Sequence, residues 1–149
     1  RHLHRQLFRS LTPEQFVTLF LAELDGETGK LRYVNAGHEP PRVIRASGAI
    51  DSLEPTGLPI AMIEDFMLEC GEAELLPGDL MAVFSDGIPE ATTDGEKFLG
   101  MEPVREVLIT HRKDSLANIR GKIVALVDDF LAGEPTSDDV TILLLRRND

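Results

Sequence analysis

Two acidic dipeptides, Asp86-Gly87 and Asp138-Asp139, are the parts of this sequence whose residue types and placement best suit chemistry. The first closes an unbroken apolar run, Leu80 to Phe84, and the second opens another, Val140 to Leu145. Each has an ordinary explanation by itself, because Asp-Gly is a common turn pair and an acid ahead of a strand often only keeps an edge soluble. If the two runs are adjacent antiparallel strands, the end of one meets the start of the other, and Asp86 and Asp138 converge at one rim of a sheet. Two carboxylates so placed repel unless a proton or a cation intervenes. Mg2+ and Mn2+, which take oxygen ligands and keep several waters, are the cations that suit such an open acidic rim. Side chains alternate along a strand, so Asp138 and Asp139 are expected to face opposite ways, with Asp138 the one that reaches an ion.

Other reactive residue types give less. His38 follows Ala36-Gly37 at the end of a hairpin and has no second His or Cys at ligand spacing, which favours a structural role. His2 and His4 lie on what reads as a frayed helix end, where no function is expected. Cys70 is the only cysteine. It excludes an intrachain disulfide framework, fits a reducing compartment such as the cytoplasm, and is expected to be a small core residue. Glu90 and Thr92, beyond the Asp86-Gly87 turn, could shape a groove, although solvation alone explains them.

The elements that must position these residues follow from hydrophobic spacing. Leu3, Leu7 and Leu11 recur every four residues and predict the last turns of an amphipathic helix ending before Pro13. Phe16 to Leu24 reads as a strand that Asp25 to Gly29 turns into Leu31 to Asn35. Arg42 to Arg45 and Ile50 to Leu53 predict a second hairpin continuing the same meander. Glu54 to Ile63 reads as a long loop, and the alternation of Phe66, Leu68 and Cys70 predicts a strand reaching Glu74. A turn at Pro77-Gly78-Asp79 leads into the buried strand that ends before Asp86. Met101 to His111 is helical, and Ser115 caps a second helix carrying Ile119, Ile123, Val127 and Phe130 on one face. Short antiparallel strands with helices gathered in blocks predict an α+β domain.

Composition bounds the function. At 149 residues the chain is of single-domain length, with 42% hydrophobic and 28% charged residues, so it folds around a core. A net charge of −11 repels phosphate backbones and anionic lipid surfaces, which sets nucleic acid and membranes aside as partners. The apolar stretches fall short of the roughly 20 residues that span a bilayer. The start, Arg1-His2-Leu3-His4-Arg5, lacks both a Met and the apolar region of a signal peptide. The chain is therefore expected to be a piece of a longer protein.

Five segments in this order resemble one family: Phe16-Val17-Thr18, Asn35-Ala36-Gly37-His38, Pro77-Gly78-Asp79-Leu80, Ser85-Asp86-Gly87-Ile88-Pro89-Glu90-Ala91 and Ser137-Asp138-Asp139-Val140-Thr141. They resemble the bacterial type 2C (PPM) serine/threonine phosphatases, in the branch that includes stage II sporulation protein E and the phosphatases of the stress sigma-factor pathway. The resemblance covers Leu3 to Arg146. It implies an αββα sandwich, two packed antiparallel sheets with helices outside, formed here by residues 1–149 as a single truncated domain. It implies hydrolysis of phosphoserine or phosphothreonine on a protein by a water bridging two Mn2+ or Mg2+ ions, without a phosphoenzyme. Asp86 matches the family's Asp-Gly metal ligand, and Asp138 matches its late Asp ligand to the same ion. Gly87 and Asp139 would support these ligands from behind, as would a hydrogen bond from Asn35 or His38.

The resemblance further implies that the loop holding Thr56-Gly57-Leu58-Pro59 runs near the metals and moves with regulatory helices. A turn needing positive φ at Gly57 explains that glycine equally well. The family's first metal motif, an Asp-x-x-Gly-His-Gly type segment on the opening hairpin, has no counterpart here and is expected before Leu3. Without it Asp86 and Asp138 could hold one ion at most, mostly through water. The implied partner is a phosphorylated regulator such as an anti-sigma-factor antagonist, with a sensory or receiver domain upstream. The alternative is a catalytically silent adaptor that keeps the fold and binds a signalling protein.

Overall fold

The computed structural model describes residues 2–12, 14–65, 67–136 and 138–148, with only the backbone at His2. Expectations that fall on Arg1, Pro13, Phe66 and Ser137 therefore lie outside the described residues. In chain order the elements are α1 (His2–Ser10), β1 (Leu19–Leu24), β2 (Lys30–Ala36), β3 (Arg42–Ile44), β4 (Ile50–Ser52), β5 (Gly71–Glu74), β6 (Leu80–Phe84), α2 (Glu102–His111), α3 (Leu116–Leu131) and β7 (Ile142–Arg146). The fold class is α+β with two antiparallel sheets, as the segment order predicts. The chain divides into two compact units, Arg1–Pro40 with Ser52–Leu75 and Pro41–Asp51 with Leu76–Asp149. Among the described residues no helix is long and apolar enough to cross a membrane.

In the first unit the sheet order is β1-β2-β5. The β1–β2 hairpin pairs Leu19 with Ala36 and Leu24 with Leu31. Its turn is closed by Asp25, whose Oδ1 accepts hydrogen bonds from Glu27 N at 2.9 Å and Thr28 N at 3.1 Å. Gly29 supplies the left-handed residue, φ 78°, that returns the chain. Leu7 and Leu11 pack with Leu19 and Leu68 around buried Ala36, Ile60 and Ala61.

Three expectations change in this unit. His4 is buried, not frayed: Ala61 N donates to its Nδ1 at 3.3 Å, so Nε2 carries the proton and donates to Glu64 O at 3.2 Å. Cys70 is exposed and precedes β5, which begins only at Gly71. At this last rung of the ladder Tyr33, the partner of Gly71, lays its ring where a Gly71 Cβ would sit, with Tyr33 Cζ 2.5 Å from that point. The meander also breaks after β2, whose other neighbour is β5, while β3 pairs with β6 in the second sheet.

The second unit holds the sheet β4-β3-β6-β7 and the helices α2 and α3. Leu80, Ala82 and Phe84 of β6 pack with Ile44, Ile88, Val104 and Leu108. Ile119, Ile123, Val127 and Leu131 face this core at helical spacing, and Phe130 is only half-buried beside them. Ser115 caps α3, its hydroxyl accepting from Asn118 N at 3.2 Å. Ala132, in the left-handed conformation at φ 52°, ends it. The Pro77-Gly78-Asp79 turn hides a buried carboxylate: Asp79 accepts from Leu76 N, Ala46 N and the Arg45 guanidinium at 2.9, 3.0 and 2.6 Å.

Candidate metal centre

β6 and β7 are adjacent and antiparallel, in a register that runs from Leu80 opposite Arg146 to Phe84 opposite Ile142. The residue after Phe84 therefore meets the residue before Ile142. Ser85 N donates to Thr141 O at 3.1 Å. The next ladder position is taken by a side chain, since Thr141 N donates to Ser85 Oγ at 2.8 Å. That hydroxyl donates its own proton to Asp139 O at 2.9 Å. The ladder thus ends in a three-centre knot, and β7 starts at Ile142, two residues later than the apolar run suggests.

Beyond Ser85 the chain bends. Ile88 N reaches Ser85 O at 3.3 Å and Glu90 N reaches Asp86 O at 2.9 Å, making a helix-like turn. Buried Ile88 and Ala91 fasten that turn to the core and leave the Asp86 side chain exposed. Gly87 is buried against the opposite segment: a Cβ there would stand 2.5 Å from Asp139 O and 3.4 Å from Asp138 O. Asp138 and Asp139 are both exposed, and Asp138 Oδ1 accepts from Asp139 N at 2.7 Å. The fold therefore brings the Asp86-Gly87 and Asp138-Asp139 segments side by side at one end of β6 and β7. Among the described residues no group of three or more His, Cys, Asp or Glu side chains gathers as a metal cluster. The donors that these abutting backbones carry are exposed carboxylates, the oxygen-ligand chemistry that hard divalent cations take.

Asn35, His38 and Gly57 belong to the first unit. Asn35 is fully buried and its carboxamide is spent on backbone: Nδ2 donates to Leu53 O at 3.1 Å, and Oδ1 accepts from His38 N at 2.9 Å. Thr56 N and Asn35 O close a further bond at 2.8 Å, so this one residue ties β2 to the following loop. His38 is half-buried. Gly57 does not have the positive φ that a turn would explain. Its lack of a side chain serves close approach instead, because a Cβ would lie 2.7 Å from Met67 O and 2.9 Å from Leu68 Cδ2.

Sequence reasoning does not single out two residues that shape the second unit, Ser85 at the site and Asp79 at the opposite end of β6. Ser85 had a signal, a hydroxyl directly beside an acid at the end of a buried strand. Asp79 reads from the sequence only as a turn residue, and nothing in a Pro-Gly-Asp tripeptide marks a carboxylate as buried.

Comparison with known proteins gives consistent relatives. The profile described as stage II sporulation protein E (SpoIIE) matches residues 1–148. The chain is 27% identical over 136 residues to "Protein IcfG" of Synechocystis, covering 89% of this chain and 21% of that protein. It is 26% identical over 152 residues to "Phosphoserine phosphatase RsbU" of Bacillus subtilis, covering 99% of this chain and 44% of that protein. It spans less than half the length of either. The solved phosphatase domain of Bacillus subtilis SpoIIE, from a crystal presoaked with Mn, superposes with a TM-score of 0.71 at 19% identity, over 97% of this chain and 63% of that one. That likeness establishes the fold.

Proposed function

The chain belongs to the stage II sporulation protein E family, and from that premise we propose that it is a metal-dependent protein serine/threonine phosphatase domain. Its substrate is a phosphoserine- or phosphothreonine-bearing regulatory protein, such as an anti-sigma-factor antagonist. The observation that supports this reading is the abutment of the Asp86 and Asp138 segments at one end of β6 and β7. Two bare carboxylates would repel a phosphate monoester, and a cation held between them removes that repulsion. Asp86 and Asp138 are the residues that would hold Mn2+ or Mg2+, two ions being the complement of the complete domain. A bound ion of this kind acidifies a coordinated water and neutralises phosphoryl oxygens.

The remaining work falls to the chain itself. The buried residues of β6 and the Ile88–Ala91 anchor hold the Asp86 backbone against the core with its side chain outward, so less of the site is left to be ordered when an ion binds. Gly87 lets the opposite backbone close in, and Asp139 N fixes one oxygen of Asp138. The similarity to RsbU, named a phosphoserine phosphatase, supports the substrate class.

A second reading, a catalytically silent adaptor with the same fold, is favoured by the lack of a cluster of three metal-ligating side chains among the described residues. One experiment separates the two: Mn2+-dependent phosphate release from a phosphoserine protein by the parent chain that carries this domain, compared with its Asp86→Asn variant. The phosphatase reading expects a fall of about 100-fold or more, since even outer partners of metal ligands cost 10–100-fold. Equal Mn2+-dependent rates in the two end the assignment of Asp86 as a metal ligand, and no release by the parent chain supports the adaptor.

A further inference from the structure

We propose that Ser85 is a positioning residue, whose hydroxyl sets the spacing between the Asp86 and Asp138-Asp139 segments and so the affinity for the cation. The inference rests on the metal reading above and extends it to a residue that would touch neither ion nor phosphate. A strand end needs only backbone pairing, which the bond from Ser85 N to Thr141 O already supplies. The hydroxyl does something more. It accepts from Thr141 N at 2.8 Å and donates to Asp139 O at 2.9 Å, using both of its capacities on the chain that carries the other acids.

This matters because the two segments have reason to part. Asp86, Asp138 and Asp139 are exposed acids on neighbouring backbones, and like charges so placed disfavour close approach where the ladder ends. Asp139 O is held from two directions: Ser85 Oγ donates to it, and Gly87 presents no side chain to push it away. The spacing is therefore fixed from inside the sheet, before any cation arrives. A site prepared in this way binds more tightly than one the ion itself must close.

The test compares the unaltered chain with Ser85→Ala, Ser85→Thr and Asp86→Asn. Mn2+ affinity is read by electron paramagnetic resonance of the free ion, thermal unfolding reports the fold, and hydrogen exchange follows the Thr141 amide. Ser85→Ala is expected to weaken Mn2+ binding about tenfold, the lower end of what outer partners of metal ligands cost, and to speed exchange at Thr141. Ser85→Thr, which restores the hydroxyl, is expected to restore both. Should Ser85→Ala lose its fold, Ser85→Cys, with a longer and weaker hydrogen-bonding group, carries the same comparison. Asp86-dependent binding that Ser85→Ala leaves intact overturns this inference alone. Binding by the unaltered chain that is absent, or that Asp86→Asn leaves unchanged, overturns the metal reading and the inference with it.

Discussion

The carbonyl oxygen of Asp139 stands 2.5 Å from the point that a Cβ on Gly87 would occupy. Any side chain there must drive the two acidic segments apart, and neither backbone can yield cheaply, since Asp139 O is bonded to Ser85 and Ile88 is sealed in the core. Gly87→Ala is therefore expected to cost about 2 kcal/mol, the usual size of overpacking against fixed neighbours. Mn2+ affinity should fall together with stability. Urea unfolding and metal titration of the same preparation check both, and an alanine variant that matches the unaltered chain in each would show that the contact relaxes freely.

Asp79 carries a heavier load than its place in a turn suggests. Its side chain is 2% exposed, and it binds the Arg45 guanidinium together with two backbone amides. Asp79→Ala strands those donors and is expected to cost about 3 kcal/mol, as removal of one partner from a buried pair does. Asp79→Asn keeps the shape but turns an amide donor towards groups that are themselves donors, so it should rescue little. A double-mutant cycle with Arg45→Ala isolates the ion pair. Strict additivity in that cycle would assign the cost to the backbone bonds instead.

Asn35 offers a cleaner case of backbone bookkeeping by a side chain. Replacing it with Leu leaves Leu53 O and His38 N without their partners inside a buried turn. Each unmet group costs about 1–3 kcal/mol, so a loss of about 2 kcal/mol or more is expected. Thermal unfolding measures it, and limited proteolysis should find new cleavage near residues 53–57. Unchanged stability would mean that water replaces the carboxamide.

What was legible in the sequence is what period and turn chemistry encode. Leu80 to Phe84 reads as a buried strand, Ser115 reads as the cap of a helix that carries Ile119, Ile123 and Val127, and both are found so. Strand ends were less legible, because side chains decide them. β7 begins at Ile142 since the Ser85 hydroxyl takes the place of a ladder carbonyl, and β5 begins only at Gly71, a glycine that the Tyr33 ring covers. The burial of His4 depends on partners tens of residues away, Ala61 and Glu64. Local pattern carries no information about such partners. The paired acids were legible for the opposite reason: antiparallel neighbours bring the end of one strand to the start of the next by geometry alone.

The β1–β2 turn makes the last prediction, and its sign can be worked out from the hydrogen bonds. The Asp25 carboxylate accepts from the backbone amides of Thr28 and Glu27, which hold its pKa below the ordinary carboxylate value, with the Thr28 hydroxyl and Lys30 adding to the effect. A carboxyl depressed on folding binds its proton less readily than in the unfolded chain. Its contribution to stability is therefore complete above the ordinary carboxylate range and disappears as the pH falls through the depressed value. Carbon-detected NMR titration should place Asp25 below the exposed, unbonded carboxylates of the same chain. Asp25→Asn keeps an acceptor for both amides, so the hairpin should persist while this part of the acid sensitivity vanishes. An Asp25 titration at the ordinary value would mean that the turn opens in solution and that Gly29 alone returns the chain.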